Sequence, residues 1–226
     1  MKKSTTLLVF ALLLSSFNVA CQSSNEKNKE DEATAQKTQK PVQTSPENGM
    51  HKAYFASGCF WCVEAIYESV KGVSEVYNGY SGGHTENPTY ESSNTGRTGH
   101  AEAVEVYYDP NIVSFETLVD VYFGSQNITQ VNGQGPDRGS QYRSIIFYQN
   151  DAEKKIIDAK IAELNAQLGE RKVAAQVLPF QKFWMGEDYH QNYERLNPFN
   201  GYIQNVSIPR LRRFQQKFPE LIKEDH

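Results

Sequence analysis

Apolar residues recur with strand-like and helix-like spacing from residue 51 onward, and this pattern predicts an alternating set of strands and helices. The run KAYFAS, which ends before Gly58, is typical of a short buried strand. Apolar residues then return at helical spacing from Val63 to Val70, and Gly72 ends this helix. The chain therefore places a strand, a glycine and a helix in immediate succession.

The same alternation continues toward the carboxy terminus. The further predicted elements are a strand over 73–80, a strand over 101–108, a helix capped by Ser114, a strand over 142–148 and a helix that contains Ile157 and Leu168. This order matches the split βαβ pattern, so we predict an α+β fold, a ferredoxin-like two-layer sandwich with a mixed or antiparallel sheet. Extra carboxy-terminal segments follow. Among them, RLRRFQQKFPELIK is predicted to be an amphipathic helix with its basic residues facing solvent.

Two polar stretches interrupt this pattern. The segments over 81–100 and 125–141 are rich in glycine, serine, threonine, asparagine and glutamine. Their composition predicts long irregular loops, and loops of this length inside a compact domain are usually functional.

The amino terminus has a different character. Two lysines precede an apolar run from Leu7 to Phe17, which is too short to span a bilayer and is typical of a secretory signal peptide over 1–20. Because Cys21 follows small residues, the stretch resembles a bacterial lipoprotein signal, in which the exposed cysteine receives lipid. We therefore expect an exported protein of the cell envelope with a lipid anchor on a bacterial membrane. The alternative is ordinary cleavage nearby, which leaves a soluble protein.

Residues 21–50 carry no aromatic residue, leucine or isoleucine. Such a stretch buries too little apolar surface to offset the entropy of ordering it, so we predict a disordered linker. The folded domain is predicted over 51–226.

The net charge and the number of cysteines restrict the classes of function that fit this chain. The formal net charge is -4, which offers no basic patch, so nucleic acid is not an expected partner. The chain has 3 cysteines, and if Cys21 is lipidated only Cys59 and Cys62 remain as thiols of an exported domain. Unpaired cysteines are unusual there unless they do chemistry, which favours redox work.

The motif GCFWC places these two thiols in one helical turn. Cys59 lies at the start of the predicted helix, where unpaired N–H groups and the helix dipole favour a thiolate nucleophile. The alternatives are a buried core thiol, or a zinc site in which His84 or His100 completes the ligands. No second C-x-x-C or closely spaced histidine pair supports the zinc site.

Glu102 opens the apolar row of the strand over 101–108, on the same face as Val104 and Val106. Burial would raise the pKa of this carboxyl and keep it protonated, so that it could give a proton to a substrate oxygen. The alternative is an exposed glutamate at the end of a strand.

The motifs GCFW, NPTY, TGHAEAV, YDP, DRGSQYRS and DYHQNY, in this order and spacing, resemble peptide methionine sulfoxide reductase of the A type, the MsrA family. The resemblance runs from about Tyr54 to Tyr202. It implies reduction of methionine (S)-sulfoxide, free or in proteins, and hence repair of oxidised proteins. No metal or organic cofactor is implied.

The resemblance also implies roles for individual residues. The nucleophile is Cys59, the proton donor is Glu102, and Phe60 and Trp61 form the aromatic wall that receives the substrate methyl group. The sulfoxide oxygen is oriented by three further residues, Tyr90, Asp137 and Tyr142. Attack leaves a sulfenic acid on the nucleophile, and a thioredoxin-like dithiol protein resupplies electrons.

This chain departs from the family pattern in two places. Ile203 follows the GY pair where many members carry a cysteine, so Cys62 is the resolving thiol that we expect to form a disulfide with Cys59. Direct reduction of the sulfenic acid by an external thiol is the alternative. The loop at 126–128 lacks the usual H-D-P, and Pro136 precedes Asp137 where asparagine is common, so the shape of this loop stays open.

Two other functions compete with this interpretation. A generic thiol–disulfide oxidoreductase would use the C-x-x-C alone, without a role for Glu102. A membrane-tethered binding module would need only the export signal and the thiols.

Overall fold

The structure is a computed structural model and describes residues 37–224. Within this range the strands are β1 (His51–Ala56), β2 (Val73–Ser81), β3 (Ala101–Tyr108), β4 (Gly133–Gln134), β5 (Asp137–Arg138), β6 (Ile145–Tyr148), β7 (Gln176–Pro179) and β8 (Trp184–Met185). The helices are α1 (Phe60–Glu68), α2 (Tyr90–Asn94), α3 (Phe115–Gly124), α4 (Asp151–Leu168), α5 (Tyr193–Leu196) and α6 (Ile208–Lys217).

The main sheet of the described residues has the strand order β7-β6-β1-β3-β2-β8. All neighbouring strands in it are antiparallel except β6 and β7, which are parallel. The fold is therefore α+β with a mixed sheet, as the sequence pattern predicted. The edge strands β7 and β8 were not predicted, because they are 4 and 2 residues long and so too short to show an alternating pattern.

Alternation along the strands supplies both faces of the sheet. Ala53 and Phe55 of β1 join the larger core cluster, which also holds apolar residues of α1 and α3. Tyr54 and Ala56 point to the opposite face and join a smaller cluster, where the Tyr54 ring stacks on Phe180 at 3.7 Å. The helices α1 and α3 thus cover one face, and the segment after β7 covers the other.

Both long polar stretches contain short elements that composition did not predict. In the first, Thr89 caps α2 in a reciprocal capping box with Ser92. In the second, β4 and β5 pair as a separate hairpin, and a turn of 3-10 helix follows over Ser140–Tyr142. Local hydrogen bonds rather than apolar periodicity build these elements.

The amino-terminal part of the described range packs on the domain from residue 40 onward. The N–H of Val42 donates to the Phe180 carbonyl at 2.8 Å, and the Thr44 N–H donates to Gln149 Oε1 at 2.8 Å. The compact unit begins at Lys40, before the predicted domain start at 51. The predicted signal peptide over 1–20, Cys21 and the predicted linker up to 36 lie outside the described residues.

The carboxy-terminal helix α6 was predicted with all its basic residues in solvent. Arg212 and Arg213 are exposed, but Arg210 is buried, so the prediction is wrong for Arg210. Phe214, on the same side of the helix, belongs to the core. Among residues 37–224, no helix combines the length and apolar character needed to cross a membrane.

Candidate active site

A sharp turn between β1 and α1 positions the two thiols. Gly58 has φ +84°, a conformation that side chains rarely adopt, and a Cβ there would lie 2.5 Å from Cβ of Gln134. Cys59 follows at the N-cap of α1, and Cys62 lies in its first turn. Both cysteines are free and buried. The strand–glycine–helix succession in the sequence is thus what delivers both thiols to one place.

The guanidinium of Arg210 holds the turn between β1 and α1 by hydrogen bonds. It donates to the carbonyl of Ser57 at 3.0 Å, to the Ser57 hydroxyl at 3.1 Å and to the carbonyl of Ser125 at 2.9 Å. These bonds join α6 to the end of β1 and to the end of α3. The turn that carries Cys59 is therefore fixed by a residue far away in the sequence.

Glu102 lies beside the start of α1. The N–H of Phe60 donates to its Oε2 at 3.0 Å, and the side chain is 2% exposed. Burial raises the pKa of the Glu102 carboxyl to about 8, against the lowering effect of the Phe60 hydrogen bond. This buried environment matches the prediction for Glu102 and differs from that of an exposed strand-end glutamate, so at neutral pH the carboxyl holds a proton.

The pKa values of the two thiols are shifted in opposite directions. Burial, followed by the interaction with Cys62, raises the pKa of Cys59 well above its usual value. The hydrogen bond from Cys59 and the charge of Arg210 lower the pKa of Cys62 to about 7, against the raising effect of burial. Glu102 accepts the Phe60 N–H at the helix start, so this N–H does not stabilise a thiolate on Cys59.

Aromatic side chains line the cleft next to Cys59. Phe60 is buried and Trp61 is half-buried at the cleft. Trp61 stacks on Tyr193 with ring centroids 3.8 Å apart, and its indole N–H donates to Nδ1 of His190 at 3.2 Å. The His190 ring lies 4.8 Å from the Phe60 ring. Tyr193 and His190 thus hold the Trp61 indole in place, so that Trp61 forms a rigid apolar wall.

Tyr90 and Tyr142 approach the same cleft from the two polar loops. Burial raises the pKa of each phenol, and the charges of Glu102 and Cys59 raise both pKa values further. Glu187 accepts the Tyr90 N–H at 2.8 Å, which fixes the start of α2. Both phenols therefore stay protonated and can donate hydrogen bonds near the carboxyl and the thiol.

Asp137 lies on β5 and faces Tyr202. The Tyr202 hydroxyl donates to Oδ2 of Asp137 at 2.6 Å and contacts Sγ of Cys62 at 3.7 Å. Burial raises the pKa of Asp137, and the hydrogen bond from Tyr202 opposes that rise. Asp137 thus reaches the thiol pair through Tyr202.

The structure gathers the predicted site residues of the domain around the start of α1. Those residues are Cys59, Phe60, Trp61, Cys62, Tyr90, Glu102, Asp137 and Tyr142. The histidines of the rival zinc interpretation lie elsewhere, since His100 uses both ring nitrogens on the backbone of Gly83 and Thr85. Within residues 37–224 no group of three metal-binding side chains occurs.

The altered loop at 126–128 has its own internal order. Gln126 accepts hydrogen bonds from the Gln134 amide at 3.1 Å and from the Ser144 hydroxyl at 2.8 Å. The Asn127 N–H donates to Oε1 of Gln134 at 2.9 Å. Gln134 therefore ties this loop to the turn at Gly58, and Pro136 ends it before Asp137.

A cavity of about 740 Å³ opens on the other side of the thiol pair. Its lining includes Cys62, Asp137 and Tyr202, residues of the altered loop, and the α6 side chains Arg210, Arg213 and Lys217. Cys59 is not part of this lining. Aromatic side chains thus surround the pair at Cys59, and the cavity opens at Cys62.

Sequence reasoning missed several residues that shape the site. Tyr202, His190 and Tyr193 belong to the motifs GY and DYHQNY, so the motif positions were a signal that they were structurally important. Nothing in the local sequence distinguishes the buried Arg210 from its exposed neighbours Arg212 and Arg213.

Comparison with known proteins agrees with this geometry. The family model of peptide methionine sulfoxide reductase matches residues 51–222. The chain is 48% identical to peptide methionine sulfoxide reductase MsrA of Pasteurella multocida over 172 residues, 76% of this chain and 98% of that protein. It is 42% identical to MsrA of Saccharolobus solfataricus over 174 residues, 77% of this chain and 98% of that protein.

Solved structures show the same likeness. Methionine sulfoxide reductase A of Corynebacterium diphtheriae superposes with a TM-score of 0.61 at 31% identity, over 73% of this chain and 88% of that one. Reduced Mxr1 of Saccharomyces cerevisiae gives a TM-score of 0.62 at 30% identity, over 69% and 91% of the two chains. With a family match over residues 51–222 and such relatives, this chain belongs to the peptide methionine sulfoxide reductase family.

Proposed function

We propose that this protein is an oxidoreductase that reduces methionine (S)-sulfoxide, free or in proteins, to methionine and so repairs oxidised proteins. One observation carries the proposal: the Phe60 N–H holds the buried Glu102 carboxyl one residue from Cys59. Burial raises the pKa of that carboxyl to about 8, which makes it a proton donor at neutral pH. The names of the relatives support the choice of substrate.

The first step joins Cys59 to the sulfoxide sulfur. As the Cys59 sulfur attacks, its proton passes to the Cys62 thiolate, which already accepts a hydrogen bond from it. Glu102 gives its proton to the sulfoxide oxygen. The oxygen then moves from the substrate sulfur to the Cys59 sulfur as the bond between the two sulfurs breaks, so methionine leaves and Cys59 holds the oxygen as a sulfenic acid.

The second step converts the sulfenic acid to a disulfide. Cys62 attacks the Cys59 sulfenic acid, a disulfide forms, and the hydroxyl leaves as water with the proton of Cys62. Two thiol groups and one sulfoxide thus give one disulfide, one methionine and one water. An external dithiol of the thioredoxin type then reduces the disulfide, as the sequence resemblance implies.

The substrate lies in the aromatic cleft in this proposal. Phe60 and Trp61 take its methyl group, and the phenols of Tyr90 and Tyr142 donate to its oxygen. Support comes from the rigid hold on Trp61 and from the high pKa of both phenols. Asp137 orients Tyr202 rather than touching the oxygen itself, because its carboxylate accepts the Tyr202 hydroxyl.

A generic thiol–disulfide oxidoreductase is the weaker alternative. It needs only the Cys59–Cys62 pair and leaves the buried Glu102 and the aromatic cleft without a role. Incubating the protein with methionine sulfoxide and dithiothreitol separates the two. We expect methionine to form, and we expect Cys59→Ser to abolish it. Absence of methionine with the unmodified protein would reject the proposal.

Three finer features belong to the same proposal. The antiparallel order β6-β1-β3-β2 and the βαββαβ chain order support a ferredoxin-like core. Export and a lipid anchor on Cys21 rest on the sequence of the first residues alone. Mass spectrometry of the protein from membranes tests the anchor, because a diacylglyceryl group on Cys21 is either found or not found.

A further inference from the structure

We infer that the cavity beside Cys62 is an access route for a second kind of reductant, a low-molecular-mass thiol that carries a carboxylate. The inference rests on the proposed Cys59–Cys62 disulfide. The cavity measures about 740 Å³, within the range that holds small organic molecules. Cys62 lies in its wall but is only 1% exposed, so a small molecule reaches this sulfur more readily than a folded protein does.

The position of the cavity decides which sulfur is attacked. Thiol–disulfide exchange depends on access, and the incoming thiolate approaches one sulfur from the side away from the other. The cavity is lined by Cys62 and not by Cys59. A thiol that enters here therefore attacks Cys62.

The charge of the cavity decides which thiol is favoured. Arg210, Arg213 and Lys217 line it from one side of α6, against the single carboxylate of Asp137. Arg213 and Lys217 take part in none of the ion pairs of the described residues. Asp137 is already occupied as the acceptor of the Tyr202 hydroxyl. The cationic side attracts a carboxylate and also stabilises the thiolate that attacks.

The exchange balances with two molecules of the thiol. The first loses its proton to solvent, bonds to Cys62 and expels the Cys59 sulfur, which is protonated from Glu102. The second attacks the sulfur of the bound thiol, releases the small-molecule disulfide and returns Cys62 as a thiolate. The enzyme gains two electrons, and the two small thiols are oxidised to one disulfide.

The rate of this reduction tests the charge argument. The full chain is oxidised with one equivalent of methionine sulfoxide, and its reduction by 3-mercaptopropionate is compared, per thiolate, with reduction by the neutral 2-mercaptoethanol. For the double variant Arg213→Glu with Lys217→Glu, we expect both rates to fall, because the attacking species is a thiolate in each case. We expect the rate with 3-mercaptopropionate to fall at least about fivefold more than the rate with 2-mercaptoethanol, because this thiol also carries a carboxylate. Arg212→Glu is the matched control, since Arg212 is exposed on α6 outside the cavity lining, and it should change neither rate.

The site of attack is tested by trapping. Brief exposure of the oxidised protein to 3-mercaptopropionate, acid quenching and peptide mapping should locate the adduct on Cys62. An adduct on Cys59, an equal loss with both thiols, or reduction by a thioredoxin-type protein but by neither small thiol would each overturn the inference. Failure of the proposed function is seen separately, because the unmodified protein would then form no methionine in the oxidising step.

Discussion

The backbone N–H of Phe60 and the carboxyl of Glu102 lie 3.0 Å apart and join the first turn of α1 to strand β3. This bond has two effects on the chemistry. It holds a buried, protonated acid beside Cys59, and it uses a helix-start N–H that would otherwise stabilise a Cys59 thiolate. In the proposed mechanism, Glu102 is thus placed to give its proton to the substrate oxygen.

Glu102→Gln should lower the rate of the first turnover by about 100-fold or more, because the amide keeps the shape but cannot give a proton. In the unmodified protein that rate should fall as pH rises through about 8, since Glu102 is a donor only below its raised pKa. Rapid-quench measurement of methionine over pH 6 to about 10 checks both results. A Gln variant at the unmodified rate would rule out the proton-donor role.

The same carboxyl should make folding stability depend on pH. Its pKa is about 8 in the folded state and 4.5 as the ordinary value, so the folded state binds the proton more tightly. Its contribution to stability is complete below the ordinary value and is lost as pH rises through about 8. Urea unfolding should show this decline in the unmodified protein, and the decline should be smaller in Glu102→Gln. Parallel curves for the two proteins would contradict the raised pKa.

Cys62→Ser should keep one turnover and lose recycling by a thioredoxin-type protein. The variant still has the Cys59 nucleophile, so it should release one methionine per chain. This release should be slower than in the unmodified protein, because the thiolate that takes the Cys59 proton is absent. Burst measurements with and without the reducing protein check this. Undiminished recycling would mean that the external thiol reduces the Cys59 sulfenic acid directly.

Tyr193→Leu should raise KM about three- to tenfold with a smaller change in kcat, because the Trp61 wall loses an aromatic stack. Steady-state kinetics with a sulfoxide-containing peptide measures the split. Phe199→Leu is the control, since Phe199 is 90% exposed in the same segment and should leave both constants unchanged. If the two variants behave alike, the stack does not position the wall.

Gly58→Ala should lower the free energy of unfolding by more than the roughly 1–2 kcal/mol that a left-handed backbone conformation costs a residue with a side chain. The added Cβ would meet Gln134 at 2.5 Å, so the turn or the altered loop must move. Gly49→Ala isolates the backbone cost, because Gly49 has φ +83°, close to that of Gly58, and nothing within 4 Å of its Cβ position. Chemical denaturation measures the free energy of unfolding of both variants. Equal losses would show that Gln134 moves aside without an energetic cost.

Local patterns in the chain were enough to predict the central strands and the helices that pack on them. The apolar runs predicted β1, α1, β2, β3 and α3 because each buries a side whose period is visible within a few residues. Glu102 was placed correctly for the same reason, since it continues the buried row of β3. The motifs then indicated which buried polar residues belong to the cleft.

Contacts between distant segments decided the rest. No local pattern separates the buried Arg210 from its exposed neighbours, because its partners Ser57 and Ser125 lie elsewhere in the sequence. The cavity at Cys62 and the opposite pKa shifts of the two thiols also arise from contacts between distant segments. Burial depends on what packs against a residue, and only the assembled fold supplies that.

The sequence by itself therefore determined where the two thiols, the acid and the main strands lie along the chain, because backbone periodicity and motif spacing are local properties. The tertiary structure decided which arginine is buried, which groups surround the two thiols and where the cavity beside Cys62 lies. Those properties depend on desolvation and on charges brought together from α6, β3 and the loop at 126–128.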